Sequence, residues 1–491
     1  MSNDPGFANL IYEYFVVRFH FQYYKCGDSL PTIEDLCRQF SVSSLTIKSA
    51  FKHLQDEGYI SRSHGRCARV LFSQSDEEVD AFAIRFFSQR RASIPDFYRS
   101  TELIVMPMLA KGFTHMAEID FAYLSQLAEQ TDPEDQIRFY CYILRKTQNP
   151  LIMNLFWEST LYLGLPFPTS DRGHTLYDTQ LSRRRLTDLA RSGREGTPEQ
   201  IYAAHLAFQH DVSKEIHSYI VNRIPPDNHT EQLPFTWRVY RDRPQICCDL
   251  AVQVIHDVYM GEFRGCEFLP SYEKMAQKYH ASVSTIRRTI RLLNQLGATQ
   301  TLNGKGTRIL LLNDSDSDFT PDLTLPAIRT NMAYYIQSFE LLAESCEGVM
   351  CTVLKAISDE EKHELTSMLE ECIINGRYYI SPQCIFSFIA EHSPLKIIQE
   401  IYGKLYSLNL WGYPMKKYRK EMPDLGPTMR EFTETVIHFL QENNTDSFSK
   451  TVSRFMKNEY KIAKKILEDH GYEPADMSYM PSFSLIHTRE P

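Results

Sequence analysis

Leu269–Arg288 reads LPSYEKMAQKYHASVSTIRR, and 239 residues earlier Leu30–Ser49 reads LPTIEDLCRQFSVSSLTIKS. Laid over one another without a gap, residues 30–70 and 269–309 share ten identities: Leu30, Pro31, Glu34, Ser43, Thr46, Ile47, Leu54, Gly58, Gly65 and Arg69. Most other pairs keep their chemical type, as Phe40 with Tyr279 and Lys48 with Arg287 do. These shared positions are of the kind that start, stop and fill helices.

In the first copy, Pro31 forces an extended entry at Leu30. Thr32 then stands where an N-cap belongs, with Glu34 and Asp35 complementing the helix dipole. Ile33, Leu36 and Phe40 keep helical spacing. A break at Ser41-Val42-Ser43 lets Ser43 cap a second helix, which turns Ile47, Ala50, Phe51 and Leu54 inward and stops at Gly58. Tyr59-Ile60 and Arg69–Phe72 read as short strands around His64-Gly65-Arg66. The second copy repeats this with Ser271 and Ser282 as caps, Ile286, Ile290 and Leu293 inside, Gly297 as the stop and Asn303-Gly304-Lys305-Gly306 as the hairpin turn. Helix, turn, helix, hairpin predicts a winged helix-turn-helix, twice.

The likeness extends beyond these segments. An acidic polar stretch expected to be a hinge follows each copy, SQSDEEVD at 73–80 and NDSDSDFTPD at 313–322. NPLIMNLFWESTLYLGLPF (149–167) aligns with SPLKIIQEIYGKLYSLNLW (393–411), and IPPDNHTEQLPF (224–235) reads as a break between halves. The expected fold class is mainly α, a tandem duplication of two winged units with small β-hairpins, each followed by an all-helical domain. The expected domains are 1–75, 76–223, 236–313 and 320–480, the helical ones serving effector binding or dimerisation.

A winged unit sets its second helix in the DNA major groove with the first turns toward base edges. Cap hydroxyls and helix-start N–H groups hold phosphates. The DNA-contacting candidates in the first copy are therefore Thr32, Ser43, Ser44, Leu45, Thr46, Lys48, Lys52, His64, Gly65 and Arg66. In the second they are Ser271, Lys274, Ser282, Val283, Ser284, Thr285, Arg287, Arg288, Arg291, Asn303, Gly304, Lys305 and Thr307. Over 269–311, seven basic residues (Lys274, Lys278, Arg287, Arg288, Arg291, Lys305, Arg308) face Glu273 alone, a local balance of +6 in a chain of net charge −9. Over 30–72, six basic residues face four acidic ones, a balance of +2. The local surplus is an electrostatic footprint for nucleic acid, while the overall charge argues against a chain that coats nucleic acid along its whole surface.

The pattern LPxxExx(L/M), (V/A)SxxTI(K/R) and a glycine wing resembles the GntR family of bacterial transcription regulators. The second copy carries it at Leu269, Pro270, Ser271, Glu273, Ala276, Ser282, Thr285, Arg287, Gly304, Gly306 and Thr307, with Gly261 at the turn upstream. The first carries it at Leu30, Pro31, Glu34, Val42, Ser43, Thr46, Ala50 and Gly65, with Gly27-Asp28 at that turn. Departures are Ser44 and Val283 where the family has a base-reading arginine, Asp35 where a basic residue is common, and Cys67-Ala68 in the wing. The helical segments resemble the FadR-type, FCD-like sensing domains, whose metal-binding members use an Asp-x-x-x-His pair. Gln136 and Tyr140 stand there in this chain, and His210 falls at a late ligand position where the second copy has Glu459. That set implies no metal.

Other signals exclude more than they add. The 491 residues suggest several domains, with ordinary hydrophobic (43%) and charged (23%) content. MSNDPGFANL lacks a signal-peptide pattern and no apolar run reaches about 18 residues, so a cytoplasmic chain without a membrane span is expected. The 11 cysteines form no CxxC and are expected to stay thiols. Asn303–Thr307 is not a phosphate-binding loop, since Gly306 follows its lysine. Arg183-Arg184-Arg185 reads as a solvated helix face, and the aromatic runs at 11–24 and 82–87 as core. No constellation for an enzyme and no cofactor site is present. The expected function is a sequence-specific DNA-binding transcription regulator, a repressor or an activator, whose two heads make a pseudo-dimer in one chain, with further homodimerisation open. Double-stranded DNA is the expected partner and a small-molecule effector an optional one. The alternative is a protein-interaction protein with degenerate winged helices.

Overall fold

An apolar stripe at helical spacing, Leu10, Ile11, Tyr14, Phe15 and Phe19, is buried on α1 (Phe7–His20). Thr32 caps α2 (Ile33–Phe40), its Oγ1 accepting the Asp35 N–H at 3.1 Å. Ser43 caps α3 (Ser44–Asp56), which buries Ile47, Ala50, Phe51 and Leu54 as their spacing predicts. Phe51 of α3 meets Phe15, and Phe40 of α2 meets Tyr14, edge to face. Gly58, at φ 82°, closes α3 with paired bonds from Gly58 N–H to Gln55 O and from Tyr59 N–H to Leu54 O. β1 (Ile60–Ser61) then pairs antiparallel with β2 (Arg69–Val70). Ser29, at the chain's entry to α2, bridges Arg69 and makes a further edge that the sequence does not announce.

The computed structural model describes residues 7–40, 42–63, 66–130, 133–164, 179–224, 230–239, 246–310, 322–323, 325–413, 415–418 and 425–472. His64, Gly65, Ser41 and most of 313–322 therefore lie outside the described residues. The chain divides into two compact units, Met1–Arg243 and Pro244–Tyr479. Among the described residues its fold is mainly helical with two small antiparallel hairpins. No helix among the described residues is long and apolar enough to cross a membrane.

In the first unit the hairpin is followed by α4 (Asp76–Ser88), α5 (Ser93–Thr114), α6 (Glu118–Glu129), α7 (Pro133–Lys146), α8 (Pro150–Leu163), α9 (Thr179–Glu195) and α10 (Pro198–Arg223). The acidic stretch 73–80, expected as a hinge, is a helix start. Ser75 and Glu78 form a reciprocal capping box, so the acidic residues serve α4. α5 packs on α10 and α7, and α6 on α9. Asn149 caps α8, accepting from Leu151 and Ile152 N–H.

Residues 231–239, whose start was expected to be part of a break between halves, pack on the first unit instead. Phe235, Trp237 and Val239 are buried at alternate positions of an extended segment. Leu233 N–H bonds Gln89 O at 2.7 Å, and Trp237 Nε1 donates to Asn154 at 2.7 Å. Arg238 clasps Glu13 of α1 and Glu158 of α8, at 2.9 and 2.8 Å. Period-two burial, not the preceding prolines, decides this stretch.

The second unit begins with α11 (Ile246–Met260), α12 (Tyr272–Lys278), α13 (Val283–Gln295), β3 (Thr299–Leu302) and β4 (Gly306–Ile309). Ser271 and Ser282 cap α12 and α13, and Gly297 closes α13 with the same pair of bonds as Gly58. Phe268 bridges Arg308 as Ser29 bridges Arg69. The helices that follow are α14 (Pro326–Ala356), α15 (Asp359–Ile374), α16 (Ser381–His392), α17 (Lys396–Asn409), α18 (Met415–Tyr418), α19 (Leu425–Gln441) and α20 (Thr445–Asp469). α14 packs on α20, α15 on α19 and α16 on α17. Ser393 accepts the Leu395 N–H ahead of α17, the counterpart of Asn149 ahead of α8. The cysteines of both units are thiols, with Cys372 and Cys384 buried at 3.6 Å from each other.

Candidate nucleic-acid interface

The start of α3 is built by one hydroxyl. Ser43 Oγ accepts the Thr46 N–H at 3.2 Å and lies 2.9 Å from Thr46 Oγ1. With Ile47, Ala50 and Phe51 turned into the core, Ser44, Leu45, Lys48 and Lys52 are left exposed on the other face. Leu45 is 75% exposed, the most open large apolar side chain among the described residues of that first unit. Thr46 is half-buried, Thr32 sits exposed at the cap of α2, and Arg66 is exposed on the hairpin.

α13 starts on a denser knot. Ser282 Oγ accepts the Thr285 N–H at 3.1 Å and lies 2.8 Å from both Ser284 Oγ and Thr285 Oγ1. Ser284, Arg287, Arg288 and Arg291 are exposed, whereas Val283 and Thr285 are half-buried. Ser271 and Lys274 are exposed at the start of α12, and Asn303, Gly304 and Lys305 at the hairpin tip. Gly304, at φ 73°, takes the left-handed conformation the tip requires. Thr307 does not join them: it is buried, 3.3 Å from Thr301 Oγ1, and holds the hairpin together.

The ion pairs revise the charge reading. Lys278 is engaged by Glu262 and, at 3.4 Å, by Asp257, and the Glu262 hydrogen bond raises its ammonium above the usual lysine range. Arg308 pairs with Glu267 at 3.2 Å. All three carboxylates lie upstream of 269, so counting within 269–311 overstated the surplus. Lys274, Arg287, Arg288, Arg291 and Lys305 remain without a described carboxylate partner. In the first copy Arg38 is held by Asp35 at 2.8 Å, and Lys48, Lys52, Arg62, Arg66 and Arg69 have no described carboxylate partner.

No group of three or more metal-ligating side chains occurs among the described residues. Gln136 and Tyr140 lie on α7, while His210 is exposed on α10.

Residues 11–70 match the model of the bacterial regulatory proteins of the gntR family. That segment is a gntR-type helix-turn-helix domain, the kind that binds DNA. Among solved structures, a Streptococcus agalactiae GntR is 15% identical, covering 44% of this chain and 99% of its own, with a TM-score of 0.21. A second, titled "Lar controls the expression of the Listeria monocytogenes agr system and mediates virulence", is 14% identical, covering 44% and 96%, with a TM-score of 0.22. Both scores are too low to speak to the fold of the whole chain. No curated protein matches the chain.

Proposed function

We propose that this chain is a sequence-specific transcription regulator carrying two gntR-type heads, one within 1–75 and the other within 246–310, descended from a tandem duplication. The observation that carries the second head is the face of α13. A serine-capped helix start there presents Arg287, Arg288 and Arg291 with no described carboxylate to neutralise them. Such a face supplies phosphate contacts and arginines for guanine edges. Two heads in one chain act as a covalent pseudo-dimer, which makes the second binding step intramolecular. Unequal faces suit an asymmetric site. The helical segments 76–223 and 326–469 respond to a small molecule or dimerise, and act on the heads through differential affinity for two states.

The test is selection of bound fragments from sheared genomic DNA by the wild-type chain and by an Arg287→Ala/Arg288→Ala variant, at two salt concentrations. Enrichment of one site, lost in the variant and weakened by salt, supports the reading. Folded protein that enriches nothing, with variant and wild type alike, overturns it.

A second reading rests on the first head alone. Leu45, 75% exposed, projects an apolar side chain into solvent beside Ser44 at the start of α3. That face suits protein docking, and footprinting that protects only one half-site would favour it.

A further inference from the structure

A half-open pocket with a cavity volume of about 150 Å³ lies in the first unit among α5, α7, α8, α9 and α10. Its walls are largely apolar, with Phe97, Leu109, Ile137, Phe156 and Phe208 among them. That volume is enough for a single aromatic ring, roughly 150 Å³ being sufficient for benzene.

The polar lining narrows the guest. The Thr101, Ser159 and Thr160 hydroxyls are spent on backbone carbonyls of Phe97, Leu155 and Trp157, at 2.9, 2.7 and 2.9 Å. Tyr98 and Tyr140 also line the cavity, and neither hydroxyl bonds a described residue. Burial raises both phenols, so they keep their protons and can donate. The charge in the wall is already satisfied. Arg185 reaches Glu215 at 3.0 Å and Asp211 at 3.6 Å, one guanidinium between two carboxylates. An anionic guest would have to displace Glu215 and approach a local negative excess.

The residues also lack the Asp-x-x-x-His pair that metal-binding members of the resembled class carry. Gln136 and Tyr140 occupy the paired-ligand positions, and a neutral amide and a protonated phenol are poor ligands for a divalent ion. A metal bridging to a carboxylate ligand does not fit this lining.

We infer that this cavity binds an uncharged, ring-sized aromatic molecule bearing one hydrogen-bond acceptor, without a metal. The acceptor accepts a hydrogen bond from the Tyr98 or Tyr140 hydroxyl while the ring fills the apolar walls. This deepens the ligand response in the proposed function and rests on it only for the regulatory consequence, since binding is measured without DNA.

The test is calorimetric titration of the full chain with acetophenone, ethylbenzene and benzoate, with and without added zinc. Acetophenone should saturate one site, bind tighter than the other two and ignore zinc. Tyr98→Phe/Tyr140→Phe should weaken acetophenone roughly tenfold, the loss of one or two hydrogen bonds, and leave ethylbenzene unchanged. Val212→Phe, which fills the cavity, should abolish both. If that variant misfolds by circular dichroism, the tyrosine pair decides alone. No saturation by acetophenone in folded wild-type protein, tightest binding by benzoate, zinc-dependent binding, or unchanged acetophenone affinity in the tyrosine pair would each overturn the inference. A chain that binds acetophenone but no DNA would sink the regulator reading and leave the site standing.

Discussion

The Arg18 guanidinium and the Glu134 carboxylate meet at 2.7 Å, both almost fully buried, and so tie α1 of the first head to α7 of the helical segment. Tyr14 donates to the same oxygen at 2.8 Å, and Arg138 lies 3.4 Å from the other. The Arg18 and Arg138 charges, the first above all, hold Glu134 below the usual carboxylate range against the opposing effect of burial. Among the described residues, no such pair stands at this place in the second unit. Asp257 stands 239 residues beyond Arg18, and His256 meets the Tyr406 hydroxyl at 2.9 Å instead. Removing one partner leaves a buried charge, so Glu134→Ala should cost about 3–5 kcal/mol. Denaturant unfolding of the first transition measures it, and Arg18→Met/Glu134→Leu should recover most of the loss.

His205 gives the acid limb of stability its shape. It is 1% exposed, neither ring nitrogen has a partner among the described residues, and burial lowers its pKa to about 3. The unfolded chain takes up the proton near pH 6.5 and the folded chain does not. Stability is therefore complete above that value and falls as pH drops toward 3, by at most about 1.4 kcal/mol per pH unit. The contribution of Glu134 is lost only lower, as pH falls through its depressed folded pKa. Melting between pH 7 and 5 should fall more steeply in wild type than in His205→Leu; equal slopes would refute the assignment.

Salt dependence should separate paired from unpaired cations. If α13 faces DNA, Arg288→Ala should reduce the slope of log affinity against log salt by about one. Lys278→Ala should leave the slope unchanged, because Glu262 and Asp257 already neutralise that ammonium. Fluorescence anisotropy on the selected site, from low to physiological salt, reads both.

The strap at 231–239 should behave as core. Trp237 is 1% exposed and its indole N–H is bonded to Asn154. Trp237→Ala should cost about 3–5 kcal/mol, in the unfolding transition of the first unit and not of the second. A loss confined to the second unit would show that the segment belongs there.

Cap loss offers a milder check. Ser282→Ala frees the Thr285 N–H and dissolves the hydroxyl knot at the start of α13, which should cost about 1 kcal/mol in the second transition. An effect below the error of the melt would mean that solvent replaces the cap.

Local chemistry was legible where it acts within one turn. Thr32, Ser43, Ser271 and Ser282 cap the helices their spacing marks, and Gly58 and Gly297 end them. The exposed face of α13 follows from its buried one. What could not be read depends on partners far along the chain. Lys278 looks free until Asp257 and Glu262 are placed beside it. Ser29 and Phe268 form strand edges only because Arg69 and Arg308 arrive next to them. Trp237 was hidden behind prolines that suggested a break, and the cavity draws its walls from five helices, so no local motif marks it. Thr307 matches a family motif in sequence yet points its side chain into the hairpin.

The two second helices keep their framework apart from their presented surface. Ser43 and Ser282, Ile47 and Ile286, and Leu54 and Leu293 are identical pairs, while Ser44, Leu45, Lys48 and Lys52 face Val283, Ser284, Arg287 and Arg291 across the alignment. Substitutions on such solvent faces usually change stability by less than about 0.5 kcal/mol. Folding therefore exerts little selection on the surfaces, and each can drift toward a different partner while its scaffold stands still. One half can change what it recognises without obliging the other to follow.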